Sequence, residues 1–359
     1  MVVQARNYIL DAVKALAILL VVYGHSIQYI SGTEFWENRI FQIIYSFHMP
    51  LFFMLSGFFF VGQQEKSAKD FIIKKTLTLL VPCLMWATLS AVGSLVMTGD
   101  IKAFILKIIT PSSWPFWFLK GLFIVQIVAW VSLFIIRKIT TRHFVRWAAV
   151  LSLAVFLIPG TEVARVMLPL FWGGWLLRKH YDSFQEKAGL IALIFGIVFL
   201  ALLPFWNSNG MRFYAGTTLS LYGFFGDTQQ LLTDWLVLIY RLVIGAAGSI
   251  AVISVIHLFP SSTINRPIIN QVGTSTEAIY ILQACFLEHL IGGFIAQKTY
   301  WLLPLQHMHP YLLFGIVLPM IACLLVLFCT FIYQQTGHFP HQAWLVRLFF
   351  GGAPISKKG

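Results

Sequence analysis

Long apolar runs dominate this chain and restrict what it can fold into. Most of them reach the roughly 20 residues that an α-helix needs to cross a bilayer. The pattern predicts an all-α, polytopic transmembrane helical bundle of about ten helices. The predicted runs are 9–30, 43–62, 72–97, 116–136, 144–158, 163–177, 189–206, 234–259, 268–291 and 311–333. The runs on either side of Pro159-Gly160 are short, so they form either two spans or one broken hairpin.

The composition also indicates a membrane protein. Of the 359 residues, 58% are hydrophobic and 11% are charged, whereas soluble domains have roughly 25% charged residues. The first run is too long for the apolar part of a signal peptide and lacks a following small-residue cleavage site, so we expect it to remain as a helix. We therefore predict one transmembrane domain over residues 1–333. A cytoplasmic tail, 334–359, contains the segment QAWLVRLFF, which is typical of an interfacial helix.

The distribution of Lys and Arg predicts the topology. If the N-terminus is cytoplasmic, 16 of the 25 basic residues fall in cytoplasmic segments, six in outer segments and three in helices. This agrees with the positive-inside rule and predicts that both termini are cytoplasmic. It accounts for the net charge of +12 without a nucleic-acid partner, and leaves membrane lipids as expected partners. The four cysteines lie in apolar runs without metal-ligand spacing, so no metal site is predicted.

The first apolar run contains three ionisable side chains, Asp11, Lys14 and His25. Such groups are costly in a bilayer and are therefore functional candidates. Asp11 and Lys14 are three residues apart and can pair on a helix. Lys14 and His25 are separated by about three helical turns, so they point the same way about 16 Å apart. The structural alternative is an ion pair at the cytoplasmic boundary and an imidazole bonded to a neighbouring helix.

The second and ninth runs add further polar candidates. His48 and Pro50 are expected at the outer end of helix two, where His48 is either a second functional imidazole or an interfacial residue. Ser56 precedes Gly57, and this small pair favours close helix packing. Glu277 lies within the ninth run and is expected either to pair with Lys120 or Arg241 or to line an acceptor path.

Several segments, taken in order, resemble the acyltransferase-3 family of membrane-bound acyltransferases, with the closest likeness to its fucose 4-O-acetylase-like branch. The resemblance begins with Asp11, Lys14 and His25. It continues through FHMPLFFMLSG at 47–57, KKTLTLLVPCLMW at 74–86, PFWFLKGLF at 115–123 and VGTSTEAIYIL at 272–282. The chain departs from the family at Lys14, where many members have Arg, and at Thr78, a place that is often basic. It also has Gln283 where the last motif often ends in His.

The resemblance implies a bacterial enzyme of the cytoplasmic (inner) membrane. It implies transfer of an acetyl or other acyl group from cytoplasmic acyl-CoA to a sugar hydroxyl of a surface polysaccharide or its lipid-linked precursor. His25 would be the general base, because a neutral imidazole can take the hydroxyl proton near pH 7. It would alternatively carry the acyl group as a nucleophile. The residues do not separate these two roles.

The resemblance also suggests where donor and acceptor bind. Asp11 and Lys14 would orient the donor end, and Lys14, Lys74 and Lys75 would hold the phosphates of acetyl-CoA. Trp117 either lines the acyl tunnel or anchors the membrane interface. His48, Ser56 and Glu277 are the candidates for binding the carbohydrate acceptor. The two lysines at 74 and 75 are also expected to help determine topology.

Two other classes of protein are compatible with the polar residues. A proton-coupled transporter or flippase also uses His, Asp and Glu inside a helical bundle. Against that interpretation, the two halves of the chain lack matching Gly/Pro-interrupted helices, and the polar residues concentrate in helix one. A non-catalytic partner in polysaccharide assembly is the third class, in which loss of His25 would matter little.

Overall fold

The structure is a computed structural model that describes residues 7–65, 67–110, 114–139, 143–158, 161–206, 228–287, 309–338 and 343–352. Every regular element within these ranges is a helix, which confirms the predicted all-α class. Numbered along the chain, the helices are α1 (Tyr8–Ser31), α2 (Arg39–Phe58), α3 (Ala68–Lys75), α4 (Val81–Thr98), α5 (Ile101–Ile109), α6 (Trp117–Ile139), α7 (Phe144–Ser152), α8 (Glu162–Lys179), α9 (Tyr181–Glu186), α10 (Ala188–Leu202), α11 (Thr228–His257), α12 (Ser261–Ile264), α13 (Pro267–Thr274), α14 (Thr276–Cys285), α15 (Pro310–Gln335) and α16 (Ala343–Phe350).

Seven helices within the described ranges are long and apolar enough to cross a membrane. They correspond to seven of the ten predicted runs, and the protein is a multi-pass membrane protein. The spans are Tyr8–Ser31, Arg39–Phe58, Ala68–Thr98, Trp117–Ile139, Ala188–Phe205, Trp235–His257 and Pro310–Gln335. The span Ala68–Thr98 consists of α3, a π-helical turn at Thr76–Leu80 and α4. The cytoplasmic placement of the two termini stays a prediction.

The other three predicted runs have a different form. The run 144–158 contains the shorter apolar helix Phe144–Val155. The run 163–177 lies within α8, an 18-residue helix with charged residues near both ends. The run 268–291 is divided at Ser275 into α13 and α14, and its residues 288–291 lie outside the described ranges.

Helix α2 begins earlier than its apolar run. Asn38 caps it by accepting a hydrogen bond from the backbone N–H of Phe41, so the helix starts at Arg39. The predicted position of His48 and Pro50 near the start of helix two is therefore wrong, since both are buried in the middle of α2. Periodicity and hydropathy missed this start because the first turn of α2 contains polar residues.

Contacts divide the chain into two compact units, and the first comprises Met1–Phe59 and Phe156–Phe331. In this unit α2 packs against α8 and α11, and α10 packs against α11. Helix α1 packs against α2, α13 and α14. The packing role expected for the pair Ser56-Gly57 is confirmed, because a Cβ on Gly57 would collide with the backbone of Phe171 in α8.

The second unit comprises Phe60–Val155 and Ile332–Gly359. Within it α6 packs against α7, and α4 packs against α5 and α16. Trp86 of α4 donates its indole N–H to the carbonyl of Phe349 in α16 at 3.1 Å. The segment predicted as an interfacial helix is thus helical and packed on α4. The domain boundary at residue 333 stays a prediction, and residues 353–359 of the tail lie outside the described ranges.

Candidate functional site

The predicted ion pair is present in the first turns of α1. Lys14 Nζ lies 2.7 Å from Asp11 Oδ1, and the Asp11 side chain is 7% exposed. The ammonium group also lies 5.3 Å from the centroid of the Phe59 ring. On the other side of Asp11, its backbone carbonyl lies against Gly273, where any Cβ would collide with it. The pair is therefore fixed between the end of α2 and helix α13.

His25 occupies α1 farther along the same helix and contacts the same segment of the chain. Its Nδ1 lies 3.1 Å from Oε1 of Gln283 in α14. Because Gly273 contacts Asp11 and Gln283 contacts His25, α13 and α14 run beside α1 from the ion pair to the imidazole. Asp11, Lys14 and His25 therefore lie along α1, which packs against α13 and α14.

Gln283 is a residue of this site that the sequence interpretation did not assign. Its side chain is 0% exposed, and its Nε2 donates to the carbonyl of Tyr280 at 3.1 Å. Its amide oxygen accepts the hydrogen bond from His25. The sequence does contain a signal for this residue. A polar amide lies within an apolar run, at a position where the family that the motifs resemble often has His.

His48 approaches this region from α2. The ring is 1% exposed, and Nδ1 donates to the carbonyl of Ile44 at 2.7 Å. Its Nε2 is buried and has no hydrogen-bond partner among the described residues. His48 is therefore a buried imidazole with an acceptor nitrogen available, rather than an interfacial side chain.

Tyr45 connects the two imidazole-bearing helices. Its ring lies against Gly24, where a Cβ would come within 2.9 Å of it. The same ring is 4.6 Å from the His48 ring, measured between centroids. The close approach at Gly24 is therefore made by α2, through a ring that also packs on the ring of His48.

The remaining acceptor candidates also belong to the first unit. Ser56 is half-buried near the end of α2. Glu277 lies in the first turn of α14, where the helix dipole stabilises a negative charge. Of the two predicted partners of Glu277, Arg241 is buried in α11 of the same unit, whereas Lys120 belongs to the second unit.

The other donor candidates lie in the second unit. Lys74 and Lys75 form the last turn of α3, and Trp117 begins α6. Lys74 and Arg347 line a cavity of about 650 Å³ together with Asp70 and Thr78. Two cations therefore face one cavity, and Arg347 is a second residue that the sequence interpretation did not assign. Binding of coenzyme A phosphates there stays a prediction.

Comparison with known proteins decides the family. A family model described as an acyltransferase domain matches residues 7–351. The chain belongs to the acyltransferase-3 family. This confirms the resemblance carried by the motifs, and this acyltransferase is an enzyme of the membrane.

Relatives of this acyltransferase include two nodulation proteins NolL. The protein from Mesorhizobium japonicum is 27% identical over 300 residues, which cover 77% of this chain and 76% of the relative. The protein from Sinorhizobium fredii is 26% identical over 300 residues, covering 77% of each chain. No solved structure matches this acyltransferase.

Proposed function

We propose that this acyltransferase transfers an acetyl group from acetyl-CoA to a sugar hydroxyl of a bacterial surface glycan or its lipid-linked precursor, with His25 at the reacting centre. The observation that carries the proposal is the bond from His25 Nδ1 to Gln283, which leaves Nε2 as the nitrogen with the lone pair. The glycan acceptor is inferred from the likeness to the fucose 4-O-acetylase-like branch and to nodulation proteins.

In the direct route, His25 acts as general base. Nε2 takes the proton of the sugar hydroxyl as its oxygen bonds to the acyl carbon, and the carbon–sulfur bond of the thioester breaks. The imidazolium then gives the proton to the leaving thiolate. The products are the ester and free coenzyme A, and His25 is again neutral.

In the carrier route, His25 is the nucleophile. Nε2 bonds to the acyl carbon, the carbon–sulfur bond breaks, and the thiolate leaves. The thiolate is protonated at the end of the cycle by the proton that the sugar hydroxyl releases in the next step. The sugar hydroxyl then attacks the acyl-imidazole, the carbon–nitrogen bond breaks, and a base must accept the hydroxyl proton. His48 Nε2, a buried acceptor, is suited to receive that proton.

Donor recognition is assigned to two groups of cations. The Asp11–Lys14 pair orients the acyl-CoA next to α1, with Asp11 holding the ammonium group in place. The phosphate-binding role of Lys74 and Lys75 is a separate proposal within the second unit, where Lys74 and Arg347 line one cavity. Ammonium and guanidinium groups bind phosphate oxygens through charge-assisted hydrogen bonds. Trp117 remains a candidate for lining the tunnel that holds the acyl group.

Acceptor recognition is assigned to His48, Ser56 and Glu277. A neutral His48 accepts a hydrogen bond from a sugar hydroxyl through Nε2. The hydroxyl of Ser56 and the carboxylate of Glu277 add further acceptors in the same unit. In a mostly apolar binding site, a few polar groups usually determine how the ligand is oriented and which ligand binds.

The test of His25 is its replacement by Ala, with transfer of labelled acetyl from acetyl-CoA to the polysaccharide fraction as the readout. Loss of a general base is expected to lower the rate by about 100- to 10,000-fold. Loss of an acyl carrier should lower it at least as much. Wild-type enzyme that is incubated with labelled acetyl-CoA and rapidly denatured at neutral pH is expected to have labelled acetyl on His25 in the carrier route and none in the direct route.

His257 provides a matched control for this test. It lies in the same unit and donates Nδ1 to the carbonyl of Ile253 at 2.8 Å, while Nε2 bonds to Tyr181 at 3.0 Å. His257→Ala should therefore retain transfer when it is stably inserted. Normal acetylation by a stably inserted His25→Ala protein would contradict the proposed function.

A further inference from the structure

The hydrogen bond between Gln283 and His25 joins side chains that are 258 residues apart. We propose that Gln283 is a positioning residue, which holds His25 with the hydrogen on Nδ1 and the lone pair of Nε2 directed to the reacting groups. This inference rests on the catalytic role proposed for His25. Gln283 acts through that imidazole and does not contact the substrate.

The orientation of the Gln283 amide follows from its two bonds. A backbone carbonyl only accepts, so the Gln283 atom 3.1 Å from the Tyr280 carbonyl is the Nε2 donor. The amide oxygen then faces His25 Nδ1 at 3.1 Å, and this oxygen also only accepts. Nδ1 must therefore carry the hydrogen. A neutral imidazole in this tautomer has its lone pair on Nε2.

Two other imidazoles of this unit, those of His48 and His257, are held differently. His48 and His257 each donate Nδ1 to the backbone carbonyl four residues earlier in their own helix. His25 instead bonds to a side chain from another helix. The orientation of its ring therefore depends on the identity of residue 283 and can be changed by mutation.

The burial of Gln283 also argues against a role in packing alone. Its side chain is 0% exposed and follows the buried apolar residues Ile281 and Leu282. Burying an amide costs free energy unless its polar atoms are bonded. An apolar side chain would fill this position without that cost, so the amide is best explained by its bond to His25.

A neutral amide is chemically suited to this task. A carboxylate at position 283 would stabilise a protonated imidazole and would leave His25 unable to accept a proton until higher pH. The amide fixes the tautomer without adding that negative charge. The elements packed against α1 carry further titratable or charged groups, which are Arg39, Tyr45 and His48 on α2, Asp234, Tyr240, Arg241 and His257 on α11, Glu277, Tyr280 and Cys285 on α14, and Glu34 and Glu37 on the turn Gly32–Glu37. Helix α1 itself has Tyr8, Asp11, Lys14, Tyr23 and Tyr29.

Two substitutions of Gln283 test the proposal through kcat, KM for acetyl-CoA and the pH profile of acetyl transfer to membrane glycans. Gln283→Met keeps the length of the side chain and removes the acceptor. Its kcat should fall by roughly 10- to 100-fold, the range found for outer partners of metal-bound imidazoles, with KM nearly unchanged. Gln283→Glu should move the acid limb of the profile upwards by about 1 to 3 pH units.

Gln126→Met is the matched control, since Gln126 is a buried amide of α6 in the second unit. Its kcat and pH profile should match the wild type, and thermal unfolding in detergent verifies that all variants fold. A wild-type kcat in Gln283→Met, or an unmoved acid limb in Gln283→Glu, would overturn the positioning role. Activity in His25→Ala would instead overturn the proposed function, so the two failures are distinguishable.

Discussion

Two imidazoles, the partly buried His25 and the buried His48, distinguish this site at the scale of single residues. His25 has a side-chain partner for Nδ1, and His48 has a backbone partner. Both bonds leave the lone pair of a neutral ring on Nε2. Because His48 Nε2 is buried without a hydrogen-bond partner in the described part of the chain, it has acceptor capacity that a hydroxyl can use.

Replacement of His48 by Phe tests its acceptor role. The change retains an aromatic ring beside Tyr45 and removes Nε2. Loss of one hydrogen bond to a neutral hydroxyl is expected to raise KM for the glycan by about 2- to 10-fold. If His48 also receives the hydroxyl proton, kcat falls as well. Steady-state kinetics with varied acceptor separate these effects, and unchanged values of both constants would exclude His48 from the site.

At the scale of helices, close contact at glycine brings together the helices that carry the proposed catalytic groups. A Cβ on Gly273 would collide with the backbone of Asp11, so α13 lies directly on the start of α1. Helix α14 follows after Ser275 and carries Gln283 to His25. The position of the His25 imidazole is thus linked to the packing of a glycine that lies ten residues before Gln283 in the sequence.

Gly273→Ala is therefore expected to impair catalysis. The added methyl must push α13 from α1, and a displacement of about 1 Å near a reacting group costs on the order of 100-fold in rate. Gly196→Ala is the control, because nothing lies within 4 Å of the Cβ position at Gly196 in α10. That variant should be as active as the wild type and equally or more stable. Equal rates for the two variants would show that this contact does not position the site.

Sequence patterns predicted the helices better than they predicted the contacts. The run 9–30 matches α1 closely, because hydropathy records each apolar residue along a span. The start of α2 was missed because a polar cap and first turn precede its apolar part. The bond between His25 and Gln283 could not be predicted from periodicity, which carries no information about partners 258 residues apart. The break at Ser275 was also missed, although the residues Gly-Thr-Ser-Thr-Glu at 273–277 interrupt the apolar run there.

At the scale of the whole molecule, the charge distribution predicts the orientation in the membrane. The 16-to-six distribution of Lys and Arg predicts that both termini lie in the cytoplasm. Reporter fusions at each end test this, with a cytoplasm-active and a periplasm-active reporter compared at the same position. We expect only the cytoplasm-active reporter to function at both ends. Periplasmic activity at either terminus would contradict the predicted topology.

The hydrogen bond between His25 of α1 and Gln283 of α14 has a consequence for biosynthesis. The ribosome makes His25 among the first residues, but it makes Gln283 only after more than three-quarters of the 359 residues have been joined. A partly synthesised chain in the membrane therefore contains the imidazole without the amide that orients it. Under the proposed mechanism, such a chain would be a poor catalyst, so unfinished or truncated proteins would consume little of the cell's activated acetate.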